Sequence, residues 1–334
     1  MTARVLCTLG LPEPAPVLLA EAAEVHVLGR IPSTVELVDQ LRGGVDVLCP
    51  QLRDPITAEV LEAGLPRLRA VCNYAVGVNN VDIAAATARG VAVGNTPGVL
   101  TEATADCAFG LLIAAARRLC EGDRVVRAGG WDGWEPTFML GLELNDALLG
   151  LVGFGRIGQA VARRGLAFGM RVAYFDSEPV PVSADLAGRV VALPLAQVLA
   201  EADVISVHVP LSAQTHHLID ERALRGMRPH AVLINTSRGP VIDEPALVRA
   251  LEEGWIGAAG LDVYEDEPRL APGLAERPNA VLAPHLGSAT VRTRAAMAEL
   301  TARNAVAALR GEPLPHWVNP GAWARGAPPP LVPV

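Results

Sequence analysis

The chain has 334 residues, a formal net charge of −8, and a composition that is 51% hydrophobic and 4% aromatic. This length exceeds what one ordinary core accommodates and predicts two α/β domains. The acidic balance disfavours a nucleic-acid partner, which would need a basic surface. No apolar run reaches the roughly 18 residues of a membrane span, and the N-terminus lacks the pattern of a signal peptide. We therefore expect a cytoplasmic protein that binds no membrane.

The cysteines show neither CxxC nor metal-ligand spacing, and their number is odd. We expect reduced thiols, mostly buried, and predict no metal site. The five residues are Cys7, Cys49, Cys72, Cys107 and Cys120.

Short apolar runs alternate with helical stretches through about the first 100 residues, which indicates a parallel sheet. The runs that predict strands are ARVLCTL, EVHVLG, DVLCP, LRAVCNY and VAVGN, and the segments that predict helices are ELVDQLRGG and TAEVLEAGL. A long helix is predicted from about Glu102 to Val126. The Gly- and Trp-rich segment after it, RAGGWDGWEPTFMLGLELND, has no clear period, and we interpret it as a functional or interface loop.

The alternation of strands and helices then restarts. The predicted strands are ALLGLVGFG, RVAYFD, DVISVHVP, AVLINTS, AAGLDVY and AVLAPH, and the predicted helices are QAVARRGLAFG, PLAQVLAEA, DERALRGM and EPALVRALEEG. A final helix is expected from about Val291 to Arg310. We predict two domains, 1–100 plus 287–320 and 101–286, and a disordered tail at 321–334, which is rich in Pro and Gly.

The sequence GFGRIG, residues 153–158, lies between a predicted strand and a predicted helix. In a dinucleotide-binding turn Gly153 allows a tight turn, Gly155 lets the backbone approach a pyrophosphate, and Gly158 lets the helix pack on the strand. The pyrophosphate would lie on the amides of the helix N-terminus. The spacing and its context predict a dinucleotide cofactor.

The next predicted strand ends at Asp176, 18 residues beyond Gly158. A carboxylate here accepts hydrogen bonds from the adenosine ribose hydroxyls and repels a 2′-phosphate. Ser177 and Glu178 follow, with no Arg or Lys to pair a phosphate. The sequence therefore favours NAD over NADP.

Polar residues follow three successive apolar strands: Arg238 in NTSRGPVID, Glu267 in LDVYEDEP and His285 in APHLGSAT. The C-terminal strand ends of a doubly wound sheet converge on the ligand crevice. There a histidine can protonate the oxyanion left by hydride transfer, and a carboxylate can orient the imidazole. A guanidinium can clamp a substrate carboxylate. Taken singly, each of these residues is equally consistent with a surface or structural role.

The chain resembles the D-isomer-specific 2-hydroxyacid dehydrogenases over about residues 1–320. The matching blocks are NYAVGVNNVD, GNTPGVLTEATAD, LVGFGRIGQAVA, HVPL, LINTSRGPVID, AAGLDVYEDEP and APHLGSAT. The segments TPGVLTEATAD and GWxxWxP are most similar to the glyoxylate/hydroxypyruvate reductase branch. The resemblance implies an NADH-dependent oxidoreductase that reduces a small 2-keto acid reversibly to the D-2-hydroxy acid.

The resemblance also implies a flavodoxin-like substrate domain and a Rossmann NAD-binding domain, with the active site in the cleft between them. It implies Arg238 as carboxylate anchor, Glu267 as orienting acid and His285 as proton donor. The residues implied at the cofactor are Gly153, Gly155, Arg156, Ile157, Gly158, Asp176, Thr104, His208, Pro210, Thr236, Asp262 and Gly287. Those implied at the substrate are the backbone amides of Val76 and Gly77, together with Arg238 and His285. Leu52 and Arg53, beside the substrate loop, are predicted as further substrate-binding residues.

A homodimer built on the helix and loop of residues 102–145 is also implied, with Phe138 or Met139 reaching the neighbouring active site. Phosphoglycerate dehydrogenases often carry an Arg at the position of Asn73, and Asn73 cannot hold a phosphate in that way. Arg53 stands where relatives have a small residue. It is either a surface charge or a second anion anchor.

Two alternatives stay open at this point. The first is a dehydrogenase for a larger or doubly anionic 2-keto acid, of phosphoglycerate or phosphonopyruvate type. The second is an NADH-sensing scaffold or corepressor on the same fold. Such proteins can keep Arg238, Glu267 and His285, so these residues alone do not exclude a sensor.

Overall fold

The computed structural model describes residues 2–324, 328 and 331. The chain forms two compact units: a first unit of Met1–Leu100 with Thr290–Val334, and a second unit of Thr101–Ala289. The second unit ends three residues later than the predicted domain boundary. The backbone amide of Gly287 donates to the carboxylate of Asp262 at 2.7 Å, which keeps this turn on the second unit.

Twelve strands and eleven α-helices are assigned within the described residues. The strands are β1 Arg4–Cys7, β2 Glu24–Val27, β3 Val47–Cys49, β4 Ala70–Cys72, β5 Ala92–Gly94, β6 Leu148–Val152, β7 Arg171–Phe175, β8 Val190–Ala192, β9 Val204–Val207, β10 Val232–Asn235, β11 Ala258–Leu261 and β12 Ala280–Leu282. The helices are α1 Ala15–Ala20, α2 Thr34–Arg42, α3 Ala58–Ala63, α4 Ile83–Ala88, α5 Thr101–Ala116, α6 Leu119–Arg127, α7 Arg156–Ala167, α8 Leu195–Glu201, α9 Glu221–Arg225, α10 Glu244–Glu253 and α11 Val291–Arg310.

The first unit is built on a parallel sheet of order β2-β1-β3-β4-β5. This is the flavodoxin-like order, in which the chain reverses direction across the sheet beside β1. Helices α1 and α11 pack on one face of the sheet, and α2 to α4 pack on the other. Strands β3, β4 and β5 are apolar and fully buried because both of their faces are covered, whereas the edge strand β2, EVHV, is largely exposed. The five strands predicted for this unit are confirmed.

The second unit carries a parallel sheet of order β12-β11-β10-β9-β6-β7-β8. Helices α5 and α7 cover one face, and α8, α9 and α10 cover the other. The strand order reverses between β6 and β9, which is the topological switch point of a Rossmann fold. The two predicted doubly wound domains are confirmed.

The long helix predicted from Glu102 to Val126 is wrong, because the structure divides it into α5 and α6. Arg118 adopts a left-handed conformation, with φ of 53°, at the break. The carbonyl oxygen of Ala116, which would accept from residue 120 in a continuous helix, accepts the amide of Leu142 at 2.8 Å instead. A hydrogen bond from Leu142, in the loop before β6, therefore ends α5.

Three short elements were not predicted: α1, α4 and β8. Each spans three to six residues and carries little periodic signal. A side-chain cap on Asp82, which accepts the amide of Ala85 at 2.8 Å, starts α4.

The predicted disordered tail begins too early. Residues Pro320–Trp323 form a 3₁₀ helix, and the buried indole of Trp323 donates to the carbonyl oxygen of Gly90 at 3.2 Å. The rest of the predicted tail lies outside the described residues, apart from positions 328 and 331. Among the helices that the structure describes, none has both the length and the apolar character needed to cross a membrane.

Candidate active site

The glycine motif forms the turn between β6 and α7. Gly153 has a φ of +95°, and a Cβ there would lie 2.7 Å from the carbonyl carbon of His208. A Cβ on Gly158 would lie 2.3 Å from the carbonyl oxygen of Gly153. Any side chain at these two positions would therefore displace backbone, so the turn requires both glycines.

The middle glycine of the motif faces open space. Gly155 is the N-cap of α7, and no described heavy atom lies within 4 Å of the position that its Cβ would occupy. Arg156 is exposed at the first position of the helix, and Ile157 packs its half-buried side chain on the core. The unpaired amides and the helix dipole make this N-terminus a suitable place for a phosphate group.

Asp176 lies directly after β7 and beside the glycine turn. Its Oδ2 accepts the backbone amide of Phe154 at 2.7 Å, and Oδ1 accepts that of Glu178 at 3.5 Å. The side chain is half-buried, and Ser177 and Glu178 are exposed. The structure thus fixes the carboxylate of Asp176 beside the glycine motif. A dinucleotide-binding unit needs a hydrogen-bond acceptor for the ribose hydroxyls at this position.

The ends of β9 and β10 carry His208 and Thr236. His208 Nε2 lies 2.9 Å from Ser206 Oγ, and burial lowers the pKa of His208 to about 4, so the ring is neutral at pH 7. The hydroxyl of Thr236 is buried without a hydrogen-bond partner among the described residues. Buried polar atoms are nearly always satisfied, so this hydroxyl is available to hydrogen-bond a group bound at the end of β10. Pro210 is exposed beside these residues.

Asp262 holds the turn that carries the histidine. Its carboxylate accepts the backbone amides of Leu286 at 2.6 Å and Gly287 at 2.7 Å, and its carbonyl oxygen accepts that of His285 at 2.9 Å. Burial raises the pKa of Asp262. The cofactor contact that the resemblance implies for Asp262 stays a prediction, and the structure shows in addition that its carboxylate fixes the turn of residues 285–287. Thr104 is buried near Gly287.

His285 and Glu267 form a hydrogen-bonded pair. His285 Nδ1 lies 3.0 Å from Glu267 Oε2, and the other carboxylate oxygen accepts the amide of Tyr264 at 3.1 Å. Burial alone would raise the pKa of Glu267, but the hydrogen bond and charge of His285 hold it below its ordinary value. Because Nδ1 meets the carboxylate, Nε2 is the nitrogen that can exchange a proton with a bound substrate.

Arg238 follows β10 and interacts electrostatically with Glu267. Burial lowers the pKa of Arg238, and the negative charge of Glu267 acts in the opposite direction. A guanidinium stays charged in proteins, so the site holds a half-buried positive charge beside the histidine–carboxylate pair. Glu244 accepts the backbone amide of Glu265 at 2.7 Å, and Glu265 accepts that of Glu244 at 3.3 Å, so the two side chains join the loops after β10 and β11. The second unit thereby brings the three predicted residues together.

The predicted substrate-binding residues Val76 and Gly77 lie in the first unit. Their carbonyl oxygens accept the side-chain amides of Asn95 at 2.8 Å and Asn73 at 3.0 Å. Within the described residues, the backbone amides of Val76 and Gly77 have no hydrogen-bond acceptor. Asn73 is fully buried, and its side-chain amide donates to the carbonyl oxygen of Gly77 and to Asn80 Oδ1.

Leu52 and Arg53 lie in the loop after β3, where Leu52 is half-buried and Arg53 is exposed. The sequence analysis missed Asp54 and Asn80, two buried or half-buried polar residues that hold this loop in place. Both lie in loops that follow strands, Asp54 after β3 and Asn80 after β4, a position that many surface residues share.

Comparisons with known proteins identify the family of the chain. A sequence profile described as the NAD-binding domain of D-isomer specific 2-hydroxyacid dehydrogenases matches residues 109–287. The chain is 51% identical over 292 residues to a glyoxylate reductase of Korarchaeum cryptofilum, an alignment that covers 86% of each chain.

Two solved structures are also similar. One is a glyoxylate reductase from Paecilomyes thermophila, with a TM-score of 0.86 and 33% identity, covering 95% of this chain and 98% of that one. The other is an NADPH-dependent glyoxylate/hydroxypyruvate reductase from Sinorhizobium meliloti in complex with NADP and malonate. It has a TM-score of 0.85 and 35% identity, covering 95% of this chain and 97% of that one. The chain therefore belongs to the D-isomer specific 2-hydroxyacid dehydrogenase family and carries its NAD-binding domain.

Proposed function

We propose that the protein reduces a small 2-keto acid, glyoxylate or hydroxypyruvate, to the D-2-hydroxy acid with NADH, and that the reaction is reversible. The observation that carries this proposal is the pair of His285 and Glu267, 3.0 Å apart, with Arg238 beside it in a dinucleotide-binding unit. The glyoxylate reductases among its relatives support the choice of substrate.

In the proposed mechanism Arg238 binds the substrate carboxylate and polarises the keto group. The cofactor supplies the hydride. His285 Nε2 donates the proton that the resulting oxyanion needs, and Glu267 holds the ring in the required orientation and stabilises its protonated form. The backbone amides of Val76 and Gly77 and the side chains of Leu52 and Arg53 are proposed as further substrate contacts. In the direction of oxidation, His285 accepts the proton.

The residues present fit a dinucleotide cofactor. The open space over Gly155 would take the pyrophosphate, and the half-buried carboxylate of Asp176 would bind the adenosine ribose. The unsatisfied hydroxyl of Thr236 supplies a polar contact deeper in the unit. The reductase from Sinorhizobium meliloti is named as NADPH-dependent, but the carboxylate of Asp176 and the lack of a basic residue at Ser177 favour NADH in this chain.

Steady-state kinetics with NADH and five acids test this proposal: glyoxylate, hydroxypyruvate, pyruvate, phenylpyruvate and phosphonopyruvate. We expect the highest kcat/KM with glyoxylate or hydroxypyruvate. A maximum with phosphonopyruvate would favour the larger, doubly anionic substrate and assign Arg53 as a second anion anchor. Tight NADH binding with very slow turnover of every acid would favour an NADH sensor and contradict the proposal.

A homodimer formed through residues 102–145 is also proposed. Large apolar side chains of this segment are exposed: Leu119, Val126, Trp131, Trp134, Phe138 and Leu140. Every residue of α6 is at least partly exposed, and a cavity of about 370 Å³ beside it is lined by Val126, Phe138 and Met139. Clustered exposed apolar surface of this kind marks an interface. Whether Phe138 or Met139 reaches the partner's active site stays a prediction.

Light scattering after size-exclusion chromatography tests the dimer. The wild type should have twice the mass of one chain, and Trp134→Asp should be a monomer at micromolar concentration. Val35→Asp is the control, since Val35 is 71% exposed on α2 of the first unit. A monomeric wild type would contradict the dimer.

A cytoplasmic location is proposed as well, and the five free cysteines are consistent with it.

A further inference from the structure

Asp54, in the loop after β3, has a carboxylate that is fully buried and only half satisfied. Its Oδ2 accepts the hydroxyl of Thr8 and the backbone amide of Gln51, each at 2.6 Å. Its Oδ1 is buried with no hydrogen-bond partner among the described residues. Burial raises the pKa of Asp54, which means that the folded protein pays free energy to keep the ionised form.

Asp54 belongs to a framework that joins two loops. The side-chain amide of Asn80 donates to the carbonyl oxygens of Gln51 at 3.1 Å and Asp54 at 3.2 Å. Asn80 and Asn73 hydrogen-bond to each other at 3.1 Å, and Asn73 also donates to the carbonyl oxygen of Gly77 at 3.0 Å. The loop with Leu52 and Arg53 and the loop with Val76 and Gly77 are thus fixed to one set of strand ends.

We propose that Asp54 is a positioning residue for substrate binding, which holds the backbone of Gln51–Arg53 against Thr8 at the end of β1. This inference rests on the proposed function, because Leu52 and Arg53 are proposed substrate contacts. A buried carboxylate with an unsatisfied oxygen is a poor way to stabilise a fold, and a well-packed apolar residue would serve stability better. The two short hydrogen bonds to Oδ2 instead fix one conformation of the loop. The loop then loses less conformational entropy when the substrate binds.

Asp46 provides a matched control within the same unit. It is also a buried aspartate, and its carboxylate accepts the backbone amide of Arg4 at 2.7 Å and the guanidinium of Arg67 at 2.8 Å. It precedes β3, whereas Asp54 follows it, so the two carboxylates lie at opposite ends of this strand. We expect that loss of Asp46 will destabilise the unit, since none of its side-chain hydrogen bonds involves the loop of Leu52 and Arg53.

The test compares Asp54→Ala, Asp54→Asn and Asp46→Ala with the wild type. We expect Asp54→Ala to raise KM for glyoxylate by about 10-fold or more, with the Kd for NADH within about 2-fold of the wild type. Asp54→Asn keeps an oxygen that can accept from Thr8 and Gln51, so its KM should rise by about 3-fold at most. Asp46→Ala should lower Tm and leave KM unchanged. An unchanged KM in Asp54→Ala, or equal increases in Asp54→Ala and Asp46→Ala, would overturn the proposal.

Hydrogen–deuterium exchange gives a readout that is independent of turnover. The backbone amide of Gln51 donates to Asp54 Oδ2, and that of Asp54 donates to the carbonyl oxygen of Gln51. These two amides should exchange faster in Asp54→Ala than in the wild type, and Asp46→Ala should leave their exchange unchanged. If exchange changes as expected while the wild type turns over none of the five acids, the proposed substrate fails and the loop-holding role stands. If the wild type is active and exchange in Asp54→Ala is unchanged, the positioning role fails alone.

Discussion

The double change Asp176→Ser with Ser177→Arg should shift the preference of the enzyme from NADH toward NADPH. Asp176 is fixed at the end of β7 by the backbone amide of Phe154, 2.7 Å from Oδ2. A 2′-phosphate on the adenosine ribose would place about two negative charges roughly 5 Å from this carboxylate. The repulsion amounts to about 2 kcal/mol at the dielectric constant of water and about 7 kcal/mol at the effective dielectric constant of a protein surface. The wild type should therefore prefer NADH by on the order of 10²-fold in kcat/KM.

The assay is kcat/KM for each cofactor at one saturating concentration of keto acid. Asp176→Asn is the matched variant, since its side-chain oxygen can still accept from Phe154 while the charge is gone. It should improve the use of NADPH. Folding stability should not fall, whereas loss of the hydrogen bond from Phe154 would cost about 1 kcal/mol. Equal efficiency of the wild type with both cofactors, or a preference for NADPH, would refute the assignment of Asp176 to the ribose.

Three further predictions concern single residues. Arg238→Lys should raise KM for glyoxylate at least about 10-fold and lower kcat, because an ammonium cannot form the paired hydrogen bonds of a guanidinium; a change in Tm alone would make Arg238 structural. Glu267→Gln should lower kcat about 10- to 10²-fold with Kd for NADH unchanged, because the protonated ring of His285 loses its counter-charge; normal turnover would contradict this. Burial lowers the pKa of His208 to about 4. As the pH falls from about 6.5 to 4, His208 is therefore protonated in the unfolded chain but not in the folded protein, and up to about 3 kcal/mol of folding stability should be lost. Chemical denaturation at pH 7 and 4.5 checks this, and His208→Asn should reduce the difference.

The sheets and the glycine turn were predictable because their signals are local. A buried parallel strand needs a continuous apolar run, as in Leu148–Val152, and the turn after it needs glycine at Gly153 and Gly158 whatever the rest of the chain does. The positions of Arg238, Glu267 and His285 after strands were enough to predict their proximity, since strand order decides which ends converge.

The remaining features depend on contacts between distant residues. The break between α5 and α6 needs Leu142 to take the carbonyl oxygen of Ala116, 26 positions away, and no local pattern encodes it. Asp54 looks like an ordinary loop acid until Thr8, 46 positions earlier, is placed against it. The carboxylate of Asp262 also accepts the amides of Leu286 and Gly287, more than 20 positions away, and only the fold reveals this contact.

The measurement that tests the account most directly compares His285→Ala with a matched histidine variant in the same unit. His217 also pairs with a glutamate, Nε2 lying 2.7 Å from Glu265 Oε1, and like His285 it has a positive φ, 50° against 58°. His217→Ala should keep kcat for glyoxylate within about 3-fold of the wild type. His285→Ala should lower kcat by about 10²- to 10⁴-fold while the Kd for NADH stays within about 2-fold. Near-normal turnover in His285→Ala, or equal losses in both variants, would contradict the assignment of His285 as the proton donor.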